Sequence, residues 1–356
     1  MERVGDHLRS LNGPVLITGH TGFKGTWLSL LFENLKIPTV GLSLPATHDS
    51  LYVRAQRGGK IPEFFGDITS LEYVEKVFNQ VNPSCVIHLA AQSLVLPSYK
   101  NPISTFSVNV MGTANILEVA TQYPSVHITA CITSDKVYEN SGKSQSFSET
   151  DKIGGKDPYS ASKSAAESVI TAWRNLAKER NGSNVLSYRA GNVIGGGDTS
   201  QDRLIPDIIR KIYFAQELVI RNQNATRPWQ HVLDPLNGYI LGIEHCLKMA
   251  NDQTKAFNFG PYEPSMSVNE ILVIARDFFK DTKLRFRTQD LGKIEELNLS
   301  LDSYKANYDL GWLPKYNQRT AVIKTFEWWK SNLEKGESAS MLCENDIKGF
   351  IDFNNS

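Results

Sequence analysis

The residues best suited to chemistry lie between Thr133 and Lys163. This stretch opens with Thr133-Ser134-Asp135-Lys136-Val137-Tyr138 and closes with Tyr159-Ser160-Ala161-Ser162-Lys163. A Tyr and a Lys four residues apart share one face of a helix, a turn from each other. An ammonium that close to a phenol stabilises the phenolate and lowers its pKa. Such a phenolate can take a proton from a hydroxyl while hydride leaves the same carbon. Alone the spacing is weak, because a Tyr packed on a helix with a Lys in solvent gives the same letters. Its weight comes from the elements that position it.

The first of these is Pro14-Val15-Leu16-Ile17-Thr18, a short apolar run of the kind buried on both faces of a sheet. Gly19-His20-Thr21-Gly22-Phe23-Lys24-Gly25 follows, then an amphipathic stretch to about Lys36. Strand, glycine turn and helix together form a phosphate site: one Gly turns the chain, one admits a pyrophosphate, and one packs helix on strand. The helix N-terminus then faces the phosphates. The spacing is G-x-x-G-x-x-G rather than G-x-G-x-x-G, and a tight turn with no ligand is the alternative. His20 is bulky for this place and is expected to crowd a dinucleotide and weaken its binding.

A second strand, Thr39 to Leu44, should end beside the adenosine ribose, where an acid is usual. The position holds Ser43, so it does not decide between NAD and NADP. Asp67 and Ile68, after a third strand, suit the edge and face of an adenine, although Asp67 could equally cap a helix. A fourth strand, Cys85 to Leu89, runs into Ala90-Ala91-Gln92-Ser93, small residues that let backbone approach a ligand. Asn109 falls within the next helix, either bonded to neighbouring backbone or facing solvent. A fifth strand, His127 to Thr133, delivers Ser134-Asp135-Lys136 at its carboxyl end, where doubly wound sheets bind ligands. A polar loop, Gly142 to Asp157, leads to the Tyr159 helix, and Val185 to Tyr188 is a sixth strand. Six alternations of strand and helix within about 190 residues call for an α/β fold, a doubly wound parallel sheet of Rossmann type.

Beyond residue 188 the texture changes. Arg189-Ala190-Gly191-Asn192-Val193-Ile194-Gly195-Gly196-Gly197-Asp198 is a glycine-dense loop able to lie close to a ligand. Asp202-Arg203-Leu204-Ile205-Pro206 leads a helix, and Ala225-Thr226-Arg227-Pro228-Trp229-Gln230-His231-Val232 sets a guanidinium beside an aromatic and a His. Phe257 to Gly260 reads as a late strand and Val268 to Lys280 as a helix. The division expected is a nucleotide domain over 1–188, joined by part of 230–255 folding back, a smaller C-terminal substrate lobe over 189–335, and a loosely held polar tail over 336–356.

Composition bounds the rest. The 356 residues are 41% hydrophobic and 21% charged, enough for a large core in two domains or one domain with a lobe. Net charge is zero and the pI is about 7.1, so no nucleic-acid or membrane surface is expected. Cys85, Cys131, Cys246 and Cys343 show no C-x-x-C spacing and read as free thiols, and no metal is expected. With no signal peptide and no run able to cross a bilayer, a reduced, cytoplasmic enzyme is expected.

The glycine turn, the Ser134-Asp135-Lys136 run and the Tyr159/Lys163 pair together resemble the extended short-chain dehydrogenase/reductase superfamily. Within it, the runs Gly191 to Asp198, Asp202 to Pro206 and Ala225 to Val232 resemble the CDP-glucose 4,6-dehydratases, over roughly Pro14 to Lys330. The resemblance implies NAD and a redox-neutral dehydration of CDP-glucose to the 4-keto-6-deoxy sugar, for surface-polysaccharide deoxysugars. It implies that Tyr159, tuned by Lys163, removes the 4-hydroxyl proton and that Ser134 bonds the same oxygen. Asp135 then protonates the departing 6-hydroxyl. Lys136 stands where related dTDP-glucose dehydratases have Glu, so it removes the carbon 5 proton as an amine or assists through the charge network. Gly19 to Gly25, Ser43, Asp67, Ile68, Leu89, Ala90, Ala91, Tyr159 and Lys163 are the cofactor set. Gln92, Ser134, Asn192, Arg203, Leu204, Arg227 and His231 are the substrate set, the two Arg on the pyrophosphate; a packed His231 is the competing reading. Ser93 to Pro97 is less basic than the family pattern. The resemblance also implies a homodimer or homotetramer, paired through helices at Pro102–Gln122 and Pro158–Lys178. A sugar-nucleotide 4-epimerase is the runner-up, and a non-catalytic NAD-sensing module the third reading.

Overall fold

The computed structural model describes residues 4–140, 146–249, 256–280, 284–288 and 298–352. The six expected strands form as β1 (Val15–Thr18), β2 (Thr39–Ser43), β3 (Glu63–Phe65), β4 (Cys85–His88), β5 (Ile128–Ile132) and β6 (Asn184–Ala190). A seventh, β7 (Ala256–Phe259), completes one sheet in the order β7-β6-β5-β4-β1-β2-β3, parallel throughout. The order reverses between β1 and β4, so their carboxyl ends open the crevice in which such sheets bind ligands.

The apolar runs serve two cores because neighbouring strand residues point to opposite faces. Val15 and Ile17 join Trp27, Tyr188, Tyr239, Phe257 and Phe259 on one side. Leu16, with Val40, Leu42, Val74, Phe78 and Val86, packs on the other. Helix Phe23–Asn34 is buried over most of its length, as expected for an element pressed between the sheet and further helices.

Three expectations need correction. β6 runs on to Ala190, and the late strand belongs to the sheet rather than to the lobe. Phe257 and Phe259 are both fully buried, which explains why this segment returns to the sheet edge. The returning helix is Leu233–Lys248, and residues 250–255 of that segment lie outside the described residues. Second, the tail is not loose over its described part. Residues Ala339–Asp352 form a helix with Leu342, Cys343, Ile347 and Phe350 buried on one face; the polar letters between them hide this stripe. Third, the helix expected over Pro102–Gln122 is interrupted by a π turn at Ser107–Met111, which carries the buried Asn109. Within the polar loop at 142–157, residues 142–145 lie outside the described residues.

Helix Pro158–Arg180 carries the Tyr/Lys pair. Asp157 caps it, accepting from Ser160 N at 3.0 Å, and Pro158 occupies its first position. Tyr159, Lys163 and Glu167 succeed one another at four-residue steps, so they share a face. Glu167 accepts two bonds from Arg189, both 2.9 Å, and one each from Thr133 Oγ1 at 2.6 Å and Ser187 Oγ at 2.9 Å. Arg189 also donates to Tyr138 OH at 2.8 Å, and that hydroxyl donates to Asn258 Oδ1 at 2.7 Å. Burial pushes the Glu167 carboxyl up, but the Arg189 bonds and charge outweigh this and leave it below its ordinary value. Its stabilisation is therefore present above the unfolded-state pKa and fades as pH falls through the lower folded-state value. Replacing Glu167 with Gln strands the Arg189 guanidinium and should cost about 3–5 kcal/mol. Urea midpoints at neutral pH check this, and an unchanged midpoint would contradict it. The deficit relative to the unaltered chain should shrink in acid.

Candidate active site

β5 ends by handing the chain to Ser134, which caps the short turn Asp135–Val137 by accepting from Lys136 N at 3.2 Å. Ser134 Oγ donates to Asp135 Oδ1 at 2.9 Å. Asp135 is only 3% exposed, and its Oδ2 has no hydrogen-bond partner. Gly191 lies against that oxygen: a Cβ there would come within 3.2 Å of it and 2.5 Å of the Pro228 ring. Burial pushes the Asp135 carboxyl above its ordinary value, opposed by Lys136, the Ser134 bond, Arg227 and Lys24. A buried carboxyl that holds its proton more tightly than usual suits a general acid.

Tyr159 and Lys163 are both buried on the facing helix. Lys163 Nζ donates to the Ile132 carbonyl at 3.2 Å, and burial pulls its pKa down to about 8. The Tyr159 phenol is raised rather than lowered: burial dominates, and a bond with Ser134 only partly offsets it. The expectation that Lys163 lowers this pKa is therefore not met here. The ammonium is directed at a strand-end carbonyl, and loss of hydration of the phenolate outweighs the fields that reach it.

Ser134, Asp135, Lys136, Tyr159 and Lys163 line one cavity of about 600 Å³, within the range of ligand sites. The same lining includes Gly19, Thr21, Gly22, Phe23, Lys24, Gly25, Ser43, Asp67, Ile68, Leu89, Ala90 and Ala91. The glycine turn has the form a dinucleotide needs. Gly19 sits at φ +76, where a Cβ would come within 2.8 Å of Ala90 N, and a Cβ on Gly25 would come within 2.1 Å of Gly19 O. Gly22 is exposed at the N-cap of helix Phe23–Asn34, leaving that helix's first N–H groups for phosphate oxygens. Ser43 Oγ bonds Thr21 Oγ1 at 2.7 Å, so β2 ends in hydroxyls where an acid is usual. These residues fit NAD.

The cavity is also lined by Asn192, Arg203, Leu204 and Arg227, as expected. Three expected residues stand outside its lining. His20 turns its ring into the sheet, against Gly41, where it bonds Glu63 at 3.2 Å and packs on Tyr52 and Phe65. It therefore does not crowd the cavity. Burial lowers its pKa, partly offset by Glu63. Gln92 exchanges bonds with Asn109, with the Leu94 backbone and with Thr105, shaping the loop rather than facing the cavity. Asn109 also donates to Ser162 Oγ at 2.9 Å, pinning that loop to the Tyr159 helix. His231 is fully buried between Trp27 and Tyr316, and burial drives its pKa down to about 3. It is a packed His, the competing reading.

The glycine-dense loop lines the cavity over Gly191–Ile194, as expected, but its later glycines serve a different purpose. A Cβ on Gly196 would overlap Trp328 at 2.0 Å, and one on Gly197 would meet Leu51 at 2.3 Å. These glycines admit side chains of the protein itself. Asp198, just after them, is a lining residue not singled out from the sequence. It is buried, and its Oδ2 lies 3.6 Å from Arg203 Nη1. Arg203 Nη2 also reaches Ser93 Oγ at 3.5 Å, so the uncharged Ser93 stretch is met by an Arg from the lobe.

Comparison with known proteins agrees with this geometry. The profile of the GDP-mannose 4,6 dehydratase family matches residues 16–325. CDP-glucose 4,6-dehydratase of Salmonella typhimurium is 37% identical over 344 residues, 95% of this chain and 96% of that one. Among solved structures, dTDP-glucose 4,6-dehydratase of Bacillus anthracis in complex with NAD superposes with a TM-score of 0.76 at 21% identity, over 90% of this chain and 98% of that one. UDP-glucose 4-epimerase of Thermotoga maritima with UDP-glucose gives 0.75 at 19% identity, over 90% and 99%. The two structures share the fold, whereas the profile and the Salmonella relative carry the sequence itself, and on their strength the chain belongs to the GDP-mannose 4,6 dehydratase family.

Proposed function

We propose that this protein is an NAD-dependent sugar-nucleotide 4,6-dehydratase that converts CDP-D-glucose to CDP-4-keto-6-deoxy-D-glucose for deoxysugar biosynthesis. The observation that carries this reading is that a phenol, an acid and an amine line one cavity. They are Tyr159, Asp135 and Lys136, between a dinucleotide turn and the guanidinium groups of Arg203 and Arg227. The 37% identical relative named for that activity supports the choice of CDP-glucose.

When bound, NAD supplies a hydride acceptor for carbon 4 and the same hydride for return to carbon 6. Tyr159 takes the proton of the 4-hydroxyl as carbon 4 is oxidised, with Ser134 bonded to the same oxygen. The new ketone acidifies the carbon 5 proton, which passes to the Lys136 amine and goes back to carbon 5 as carbon 6 is reduced. Asp135 gives its proton to the 6-hydroxyl, which departs as water. Arg203 and Arg227 hold the substrate diphosphate, since guanidinium forks match phosphate oxygens. A buried carboxyl in the cavity beside Ser134 supports this chemistry over 4-epimerisation, which has no leaving hydroxyl to protonate.

The reading extends to a cytoplasmic homo-oligomer, dimer or tetramer. The four cysteines are free and buried, which suits a reducing compartment. Ile103 is 83% and Met111 55% exposed on the first of the two segments expected to pair, Pro102–Gln122, which supports an interface there. No helix among the described residues is long and apolar enough to cross a membrane.

Incubation with CDP-, dTDP-, GDP- and UDP-glucose side by side tests the activity and its base. A 4-keto product from CDP-glucose with no net NADH is expected, and interconversion of two hexoses instead would make the protein an epimerase. Asp135→Asn should slow water loss about 10²–10⁴-fold, as for a lost general acid, with little change in substrate affinity. Unchanged turnover would remove Asp135 from the mechanism. Arg227→Ala should chiefly raise KM, and a defect confined to kcat would contradict its placement on the diphosphate.

A further inference from the structure

His88 is a titratable side chain at the carboxyl end of the sheet that the chemistry proposed above leaves unused. It closes β4 on the same face as Val86, and the parallel register sets it beside Thr18, the last residue of β1 before the glycine turn. Thr18 Oγ1 lies 2.7 Å from Nδ1 of the ring, and Thr113 Oγ1, from helix Gly112–Ala120, lies 3.1 Å from Nε2. All three residues are buried. The outer bonds decide which nitrogen carries the proton. Thr113 donates its one hydroxyl proton to the Asn109 carbonyl at 2.7 Å, so towards the ring it accepts. Nε2 therefore holds the hydrogen. Nδ1 is left bare and accepts from Thr18, whose lone pair takes the Ala90 N–H at 3.2 Å. The opposite tautomer would set a bare Nε2 against an oxygen with no proton to give, and would turn the Thr18 hydroxyl proton away from the ring.

We propose that His88, as a neutral ring with its proton on Nε2, is a positioning residue that ties the glycine turn to the helix bearing Tyr159 and Lys163. The bonds run one way, from Ala90 through Thr18, His88 and Thr113 to the carbonyl of Asn109. The Asn109 side chain carries the link on. Its Oδ1 accepts from Gln92 N at 2.9 Å, and its Nδ2 donates to Gln92 O at 3.0 Å and to Ser162 Oγ at 2.9 Å. Ser162 Oγ donates in turn to the Tyr159 carbonyl at 2.7 Å. One end of the chain thus holds the strand that enters the glycine turn and the Ala90 wall of the cavity, and the other holds the first turn of the catalytic helix. An imidazolium would donate from both nitrogens and reverse the Thr18 bond. Burial, with the Lys163 charge adding to it, brings the His88 pKa down to about 3 and keeps the ring neutral at pH 7. Hydride transfer depends on such alignment, since a misplacement of about 1 Å caused far from the chemistry can cost about 10²-fold. The consequence for turnover rests on the dehydratase reading, but the hydrogen-bond chain does not.

Nitrogen-15 spectra of the imidazole rings, with His88→Gln to identify the signals, read the chain without substrate. A protonated Nε2 and a bare Nδ1 are expected at neutral pH. A protonated Nδ1, or a ring exchanging between the two tautomers, would overturn the proposal. Turnover of CDP-glucose at saturating NAD reads the consequence. His88→Leu should lower kcat about 10–10²-fold with KM within about twofold, as for lost alignment rather than lost binding. His88→Asn sets an amide oxygen where Nδ1 accepts, and His88→Gln an amide nitrogen where Nε2 donates. Each keeps one of the two bonds and should recover only part of the loss. An unchanged kcat in His88→Leu, or full recovery in either one-sided variant, would overturn the link. The losses in His88→Leu and Ser162→Ala should not multiply in the double variant, because both cut the same connection; losses that multiply would make His88 a local packing residue. If His88→Leu does not fold, the one-sided variants and the tautomer decide the matter. Absence of a 4-keto product with the unaltered protein would sink the dehydratase reading and leave the tautomer result standing.

Discussion

The buried pairing of Glu167 with Arg189 is the constraint on which the catalytic geometry hangs. A carboxylate at 4% exposure survives only if its lone pairs are fully used, and here a bidentate guanidinium and two hydroxyls use them. Those partners come from two places: Arg189 and Ser187 from β6, and Thr133 from the end of β5. Glu167 shares a helix face with Tyr159 and Lys163, so its bonds fix the height and rotation of that helix against the sheet. Thr133 immediately precedes Ser134. The same set of bonds therefore places the phenol and the acid relative to each other. Arg189 carries the constraint further, through Tyr138 to Asn258 of β7, closing the turn that holds Asp135 and Lys136 from its far side.

The charge economy of the cavity differs from that of the chain. Overall the protein is neutral, but one cavity gathers Lys24, Lys136, Lys163, Arg203, Arg221 and Arg227 together with Asp67, Asp135, Asp198, Asp202 and Asp207, of which Asp135 and Asp198 are buried. The guanidinium groups among them match phosphate oxygens. Burial explains the direction in which the catalytic Tyr159 and Asp135 are shifted. Burial raises both the phenol of Tyr159 and the carboxyl of Asp135, and the surrounding cations offset it only in part. Burial of the lysines works the other way, lowering Lys24 to about 7 and Lys163 to about 8, where their protons become mobile near neutral pH.

The remaining polar groups of the sheet ends show what burial does to a histidine. His88 lies between Thr18 and Thr113, at 2.7 and 3.1 Å, and burial takes its pKa to about 3, with the Lys163 charge adding to the shift. Thr18 in turn accepts from Ala90 N at 3.2 Å, so this neutral ring helps to set the backbone beside the glycine turn. His20 and His231 are likewise interior. These three side chains brace the walls of the site from behind and do not enter it.

The sequence by itself determined the elements and much of the chemistry. β1, β4 and β5 were legible because strands buried on both faces need largely apolar runs. The glycine turn was legible because only glycine fits at Gly19 and Gly25, and the pairing of Tyr159 with Lys163 because helix geometry fixes four-residue neighbours. Tertiary structure alone decided which way polar side chains face. His20, Gln92 and His231 have the letters of ligands, but their direction depends on what packs against them, which local spacing does not encode. Glycines at 196 and 197 looked like room for a ligand and proved to be room for Trp328 and Leu51. The helix at Ala339–Asp352 and the place of the late strand in the main sheet were hidden for the same reason: each is stabilised by an apolar face whose partner is distant in the chain. So was the raised phenol of Tyr159, because desolvation is a property of the enclosing fold and not of the neighbouring Lys.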